Sequence, residues 1–392
     1  MPNLMDYLEW RGDLTFSEAP LNEVDNLLFC LLSYVDLDGI VPSHQKGRIT
    51  VREAAAEYFF THPHTENHPL GLIIPAHILT LFRRMAWAPR FRDLELTGFV
   101  NEVSEVRETQ FAAVTVRLPA EGLFVAFRGT DDTVVGWKED FKLSYMDQVP
   151  AQTNAAAYLN RLDMTPDTHL YVGGHSKGGN LAVWGAVHAE ERVRERIVQV
   201  YSNDGPGFSE GTVTSEAYRS LAPRIRILFP EDSLVGLLLE HDSRYTVVRS
   251  SRRGLLQHDG LTWEVMGSRF LRAEGLSRTG VHNDTVVRER IDHMTPDERR
   301  EFITLMFSLL ESTGAKTLTE LHEERFKAAI HVLKAFRELP KERQETAAYL
   351  WDKLFGSGLD PTTARRKSAA ARRPTKSPRG EVRVELFPRL RP

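Results

Sequence analysis

The sequence predicts an α/β fold in which a mostly parallel sheet is flanked by helices, with helical extensions at the N- and C-termini. Helical periodicity before residue 90, short runs rich in Val, Ile and Phe between residues 94 and 270, and helical periodicity after residue 294 support this. We divide the 392 residues into a helical N-terminal region packed on the core (1–90), an α/β core (91–290), a helical C-terminal region (291–356) and a basic tail (357–392).

The N-terminal region is predicted to be helical because its apolar residues recur at spacings of three and four. Val24, Leu27, Leu28 and Leu31 follow this spacing, and residues 51–58 are rich in good helix formers. The only cysteine, Cys30, lies in this stretch and is expected to be buried. One cysteine excludes a disulfide framework, and it fits a protein of the reducing cytoplasm.

The core is predicted to contain strands, each a short apolar run bounded by Gly, Pro, Asn or Asp. A helix-length amphipathic segment, Asn180–Ile197, separates two of them, and this alternation favours a parallel sheet covered on both faces. The predicted strands are Glu95–Val103, Phe111–Leu118, Leu123–Phe127, Leu170–Val172, Ile197–Tyr201, Ile225–Phe229 and Tyr245–Arg249.

The C-terminal region begins with a capped helix. Thr295 is the predicted N-cap, Pro296 the first helical residue and Glu298 the partner of the cap. An apolar stripe runs through this helix and repeats further on at Phe326, Ile330 and Leu333 and again at Trp351, Leu354 and Phe355. The tail is predicted to be disordered; residues 356–392 carry 10 basic and 3 acidic side chains, which suits a solubilising segment or a weak contact with an anionic surface.

Composition excludes several classes of function. The 50 basic and 54 acidic residues leave a net charge of −4, so no specific nucleic-acid partner is predicted. The N-terminus lacks the pattern of a signal peptide, and no apolar stretch is long enough to span a membrane. His62, His64 and His68 lack metal-ligand spacing, so no metal is expected, and the absence of a nucleotide-binding glycine motif predicts no cofactor.

The most informative segment is an apolar strand that leads into Gly174-His175-Ser176-Lys177-Gly178 and then into a helical pattern. This is the G-x-S-x-G layout of a nucleophile elbow, in which a very tight turn holds the serine hydroxyl exposed above the sheet. Gly174 and Gly178 are needed there because neighbouring backbone must pass close to the turn. The alternative is a glycine-rich structural turn.

A serine needs a general base to activate it as a nucleophile and an acid that orients this base. In this fold they are expected along the sequence in the order Ser, then Asp or Glu, then His. Asp232, in the loop after strand Ile225–Phe229, is our predicted acid, and His258 is the predicted base. Several other residues compete for these two roles. Asp204 is the alternative acid although its Asp-Gly-Pro-Gly context suggests a turn, Glu231 is less favoured, His241 and His282 are alternative bases, and His175 should point away from the serine.

Acyl transfer also requires donors for the oxyanion. The backbone N–H of Lys177 is one, because it follows the nucleophile. Thr130, in a glycine-containing turn after strand Leu123–Phe127, can offer both its N–H and its hydroxyl.

These residues carry a family resemblance. Phe127-Arg128-Gly129-Thr130, Trp137, Asp140 and residues 174–180 resemble class 3 lipases, the fungal-type branch of the α/β-hydrolases. Residues 10–14, 203–208 and 257–259 are similar to an uncharacterised bacterial lipase-like family, domain of unknown function 2974. The resemblance covers about residues 1–270 and implies Ser176, Asp232 and His258 as the triad, with Thr130 and Lys177 as the oxyanion hole. Lys177 departs from the class 3 pattern, and a cationic side chain at the mouth of the site suggests a different or anionic substrate.

The function expected from the sequence is a serine hydrolase that cleaves a small-molecule or lipid carboxylic ester, as lipases and esterases do, through an acyl-enzyme on Ser176. Residues 134–145 and 234–239 carry Trp137, Phe141, Leu237, Leu238 and Leu239, which can line an acyl pocket or form a lid. The alternative is a catalytically silent hydrolase fold that serves as a binding or regulatory module.

Overall fold

The computed structural model describes residues 1–43, 47–72, 74–75, 77–120, 122–236, 238–239, 244–278, 280 and 293–355. Within these ranges eight strands form one sheet in sequential order, and two short strands form a separate antiparallel pair. The sheet strands are β1 (Ile49–Thr50), β2 (Glu95–Ser104), β3 (Thr109–Leu118), β4 (Gly122–Phe127), β5 (His169–His175), β6 (Ile197–Asn203), β7 (Ile225–Pro230) and β8 (Tyr245–Val248), and the pair is β9 (Val265–Met266) and β10 (Arg269–Phe270).

Strands β4 to β8 run parallel, whereas β1 to β4 are antiparallel. The α/β-hydrolase type of fold predicted from the sequence is therefore confirmed, and each predicted strand is present. Strand β5 continues to His175, beyond the predicted end at Val172, because the backbone of Gly173 and Gly174 keeps its pairing with β4 and β6. Glycine lacks the apolar side chain by which a strand is recognised in sequence.

Helices cover both faces of the sheet, which suits strands that are buried on both sides. The helices are α1 (Leu4–Arg11), α2 (Glu23–Leu32), α3 (Val51–Thr61), α4 (Ile78–Trp87), α5 (Val134–Lys142), α6 (Pro150–Asn160), α7 (Lys177–His188), α8 (Glu191–Arg194), α9 (Glu210–Val213), α10 (Glu216–Leu221), α11 (Pro296–Glu311), α12 (Leu318–Glu323), α13 (Arg325–Glu338) and α14 (Lys341–Phe355). Short 3-10 helices lie at Ala222–Arg224, Gly254–His258 and Gly260–Thr262.

The two faces of the sheet belong to different parts of the core. Along β4 the side chains alternate: Phe124 and Ala126 pack with the N-terminal helices α1 to α4, whereas Leu123, Val125 and Phe127 pack with α6 and α7. The N-terminal region therefore forms one of the two helical layers. The domain boundaries predicted from the sequence stay a prediction.

The predicted helix Asn180–Ile197 is wrong at both ends. Helix α7 begins directly after Ser176, and its last turn ends at His188, whose Nδ1 donates to the carbonyl of Trp184. The one-turn helix α8 follows, and Ile197 already belongs to β6. Apolar periodicity alone did not separate the short helix and the strand that follow α7.

The C-terminal region packs against the core through α11. The predicted cap is confirmed, because Thr295 and Glu298 form a capping box. Phe302 and Phe307 of α11 pack with Val134 of α5. Within the described residues, no helix is both long and apolar enough to cross a bilayer. The basic tail, 357–392, lies outside the described residues, and the cytoplasmic location stays a prediction.

Part of the apolar stripe predicted on the second half of this region is exposed; the side chains of Leu354 and Phe355 lie outside the described part of the structure. Phe326, Ile330 and Leu333 of α13 are exposed, as is Trp351 of α14. Periodicity indicated one buried face, but α13 packs through the opposite side, where Val332 and Ala335 are half-buried.

Candidate active site

Ser176 occupies the turn between β5 and α7. Its φ of 56° and ψ of −134° are unusual for a residue with a side chain. Its N–H donates to the carbonyl of Asn203 on β6 at 3.0 Å, and its carbonyl accepts from Gly179 at 2.8 Å as α7 begins. These two hydrogen bonds hold the backbone in a strained conformation of the kind that occurs at nucleophile elbows.

The two glycines beside Ser176 have no room for a side chain. A Cβ on Gly174 would lie 2.0 Å from the carbonyl of Gly178, and a Cβ on Gly178 would lie 2.1 Å from the carbonyl oxygen of Phe127. The close backbone approach expected from the sequence is therefore present. It brings the loop after β4 next to the serine.

His258 faces the same pocket as Ser176 and is paired with an acid. Its Nδ1 lies 2.6 Å from Oδ2 of Asp204, which follows β6 directly. The other carboxylate oxygen of Asp204 accepts the hydroxyl of Ser233. Asp204 is buried and has a φ of 50°. The chain bends at Asp204, and this bend aims the carboxylate at the histidine.

The prediction that Asp232 is the partner of His258 is contradicted by this geometry. Asp232 accepts the N–H of Gly254 at 2.8 Å and the amide of Gln257 at 3.2 Å, and it also accepts the hydroxyl of Ser277. Its own N–H donates to Gln257 at 2.8 Å. The carboxylate therefore holds the 3-10 turn that carries His258 instead of contacting the imidazole.

His175 supports the same turn. Its Nε2 donates to the carbonyl of His258 at 2.7 Å, so Nδ1 accepts the hydroxyl of Tyr34 at 3.1 Å. Burial, together with the neighbouring His258, lowers the pKa of His175 to about 3. His175 lines the same pocket as Ser176, but both of its ring nitrogens are already engaged, by the His258 carbonyl and by the Tyr34 hydroxyl. The alternative bases His241 and His282 lie outside the described residues.

Two residues of the pocket lining have backbone N–H groups that are available as donors. The N–H groups of Thr130 and Lys177 make no hydrogen bond within the described part of the chain, and both residues line the pocket. Gly129 allows this approach, because a Cβ there would lie 3.1 Å from Cβ of Ser176. The hydroxyl of Thr130, expected as a further donor to the oxyanion, donates instead to Asp140.

The side chain of Lys177 does not reach the mouth of the site. It is fully buried, and its Nζ lies 3.1 Å from Glu139 and 3.5 Å from Asp140. Burial lowers the pKa of Lys177, but the two carboxylates raise it more, so its pKa lies above the usual value. Burial raises the pKa of Asp140 to about 6, although Lys177 opposes the rise. The anionic substrate inferred from this lysine is therefore not supported.

The pocket in front of Ser176 has a volume of about 270 Å³ and is mostly apolar. The segments expected to line it do so through Trp137, Phe141, Leu238 and Leu239, whereas Leu237 lies outside the described residues. Such an enclosure suits an acyl chain better than a charged or sugar-like group.

The sequence did not predict four of the residues that line this pocket. Tyr34 comes from the N-terminal region, and Met294, Phe302 and Ile303 come from the C-terminal region. Of these four residues only Phe302 belonged to the apolar stripe predicted on α11, and no local signal indicated that it would line the pocket. In the ranges that the structure covers, no cluster of His, Cys, Asp or Glu could hold a metal ion.

Comparisons with known proteins place the chain in a family. A family model described as Mbeg1-like matches residues 85–308, more than half of the chain. The crystal structure of M37 lipase aligns with a TM-score of 0.34 and 15% identity, over 54% of this chain and 68% of that chain. No protein among those of curated function matches. The similarity to domain of unknown function 2974 stays a prediction, and the chain belongs to the Mbeg1-like family.

Proposed function

We propose that this protein is a serine hydrolase that cleaves a carboxylic ester with an apolar acyl chain through an acyl-enzyme on Ser176. The pairing of His258 with Asp204, at a pocket that also contains Ser176 in its strained turn, carries the proposal. A serine hydroxyl is a weak nucleophile, and a neighbouring histidine held by a carboxylate is a common means of activating it.

The histidine is oriented for this role. Because Nδ1–H of His258 donates to Asp204, Nε2 is the nitrogen left to accept the proton of Ser176 Oγ. As Oγ attacks the carbonyl carbon, its proton moves to Nε2, and Asp204 stabilises the imidazolium that forms.

The remaining steps use the two backbone donors. The carbonyl oxygen becomes an oxyanion, which the N–H groups of Thr130 and Lys177 can bind. His258 then returns its proton to the alkoxide as the C–O bond breaks, so an alcohol leaves and the acyl group stays on Ser176. Water, deprotonated by His258, attacks this ester and releases the carboxylic acid, and the proton returns to Ser176.

The apolar lining of the pocket supports the choice of substrate. Trp137, Phe141 and Phe302 offer a surface for a hydrocarbon chain, and the buried Lys177 leaves no reason to require an anionic acyl group. The substrate class is therefore an ester of a fatty acid, with a small alcohol or a lipid as the leaving group.

One observation favours the competing function, a catalytically silent binding module. Among the described residues, no hydrogen bond joins Ser176 Oγ to His258. In ligand-free hydrolases this bond is often long and shortens when substrate binds, so the observation does not exclude catalysis.

Labelling with a fluorophosphonate probe separates the two functions. We expect wild type to be labelled, Ser176→Ala to be unlabelled and His258→Ala to be labelled at least ~10³-fold more slowly. Ser144→Ala is the matched control, because Ser144 lines the same pocket and should keep full labelling. A panel of nitrophenyl esters of increasing chain length then defines the acyl group. If folded wild type stays unlabelled, with and without lipid micelles, the silent module is the better account.

A further inference from the structure

Helix α13 carries a second apolar face that nothing in the described structure covers. Phe326, Ile330 and Leu333 are 77%, 66% and 49% exposed. Spacings of four and three place these side chains in one stripe along the helix. The helix packs against α11 through its other side, where Val332 and Ala335 are half-buried.

Three large apolar side chains in a row on a helix are unusual at a surface that faces only water. Scattered exposed hydrophobics are normal, but a contiguous stripe indicates an interaction site. The stripe is also not needed for packing of α13, because the half-buried side already makes that contact. The stripe is therefore available for contact with a partner.

The charges around the stripe indicate what covers it. Arg325 lies on one side of the stripe, Lys327 and Lys334 lie on the other, and Arg337 lies near its C-terminal end. All four are exposed. Lys327 pairs with Glu324 and Lys334 with Glu338, the only acidic residue of α13, whereas the helix carries four basic residues, so its charge is net positive. The surface is therefore an apolar stripe with a basic border.

A second copy of the chain fits this surface poorly. In a two-fold dimer the same patch meets itself, so the lysines and arginines of one copy would approach those of the other. An apolar stripe bordered by lysine and arginine is instead the pattern of a helix that lies in the interface of a membrane, where basic side chains meet lipid phosphates.

We propose that α13 docks this protein on an anionic lipid surface, with Phe326, Ile330 and Leu333 inserted at the level of the acyl boundary. The location of α13 supports the proposal, since it packs against α11, which lines the pocket at Ser176. The sequence that follows α14 adds charge of the same sign, with 10 basic and 3 acidic residues in 356–392. Docking does not depend on catalysis and can be measured in a Ser176→Ala background.

Vesicle flotation tests the proposal. The full chain is mixed with vesicles of phosphatidylcholine alone or with phosphatidylglycerol added. We expect binding to the anionic vesicles only, weakening as salt rises, and a reduction of ~tenfold or more for Phe326→Ser/Ile330→Ser/Leu333→Ser. Phe60→Ser/Trp87→Ser is the matched control, because both side chains are highly exposed on α3 and α4 and should not affect binding.

The basic tail is present in all of these variants, so its contribution cancels. If the triple variant binds anionic vesicles as wild type does, the tail alone accounts for binding and the proposal is wrong. It is equally wrong if wild type does not float, or if sedimentation shows a dimer that the triple variant abolishes. An unchanged unfolding temperature of the triple variant establishes that lost binding is not lost folding.

Discussion

Nδ1 of His258 lies 2.6 Å from Oδ2 of Asp204, an acid that follows β6. The acid after the next strand, Asp232, binds the backbone and side chains of the turn that carries His258. Two carboxylates therefore serve one histidine in different ways. One contacts the ring, and the other holds the chain on which the ring is mounted.

Matched substitutions of these two acids should separate their roles. We expect Asp204→Asn to lower kcat for ester hydrolysis by about 10³- to 10⁴-fold, because the imidazole loses the carboxylate that orients it. Asp232→Asn should cost about 1–3 kcal/mol of stability through its buried hydrogen bonds and change kcat by less than about tenfold. Steady-state kinetics and urea unfolding measure both. A larger loss of kcat in Asp232→Asn than in Asp204→Asn would contradict the assignment.

The neutral state of His175 predicts how stability depends on pH. Its pKa is about 3 in the fold, so below about pH 6.5 the unfolded chain binds a proton that the folded chain does not. The contribution of neutral His175 to the free energy of unfolding is therefore fully present above about pH 6.5, and it is lost as the pH falls towards 3. Between about pH 7 and 4.5 the stability that His175 contributes should fall by about 2.5 kcal/mol.

Urea unfolding of His175→Gln at both pH values checks this prediction. The variant should show a smaller loss of stability on acidification than wild type, because the titrating group is gone. His331→Gln, at an exposed position on α13, is the control and should behave as wild type. Identical pH profiles for wild type and His175→Gln would show that His175 is not the group responsible.

The buried Lys177 should contribute to stability rather than to substrate choice. Lys177→Met leaves the carboxylate of Glu139 buried without its cation, which we expect to cost about 3–5 kcal/mol. Adding Glu139→Gln should recover part of this loss, because Asp140 is then the only one of the two carboxylates left without the cation. Lys327→Met, at an exposed lysine, should change stability by less than about 0.5 kcal/mol. If wild type prefers anionic esters and Lys177→Met does not, this lysine contributes to substrate binding and the prediction is wrong.

Ile303 of α11 should affect acyl-chain preference. Ile303 and Leu305 are buried equally, but only Ile303 lines the pocket. Both alanine variants should lose about 2–5 kcal/mol of stability. Only Ile303→Ala should lower kcat/KM for long-chain esters more than for acetate, by about 10-fold or more. Equal chain-length profiles for the two variants would exclude α11 from the acyl-binding wall.

The close approach at the elbow predicts a strong effect of one methyl group. Gly178→Ala places a Cβ against the carbonyl of Phe127. The backbone can relieve this clash only if the loop that carries Thr130 moves. We expect the free energy of unfolding to fall by about 3 kcal/mol or more, and esterase activity to be lost. Gly211→Ala is the control, since Gly211 lies in the short helix α9 and a Cβ there would contact nothing within 4 Å. It should be neutral or stabilise by up to about 1 kcal/mol, as thermal unfolding will show.

Local pattern was sufficient for much of the fold. The strands from Glu95 to Val248 were recognisable because apolar runs bounded by turn residues are a property of neighbouring residues. The elbow was recognisable for the same reason, since Gly174, Ser176 and Gly178 must be adjacent in sequence to make so tight a turn. The errors at the ends of β5 and α7 arose where glycine or a short helix weakened that pattern.

The sequence by itself therefore determined the fold class, and it indicated Ser176 and His258, which the structure brings to one pocket. Tertiary structure decided which acid meets His258, where the Lys177 side chain goes, and that α11 closes the pocket and α13 leaves a stripe exposed. Each of these depends on which elements lie side by side and on where each side chain points. Asp204 and Asp232 both follow strands of the same sheet. Only the positions of the loops after those strands decide that Asp204 contacts the imidazole and that Asp232 binds the backbone of the turn that carries it.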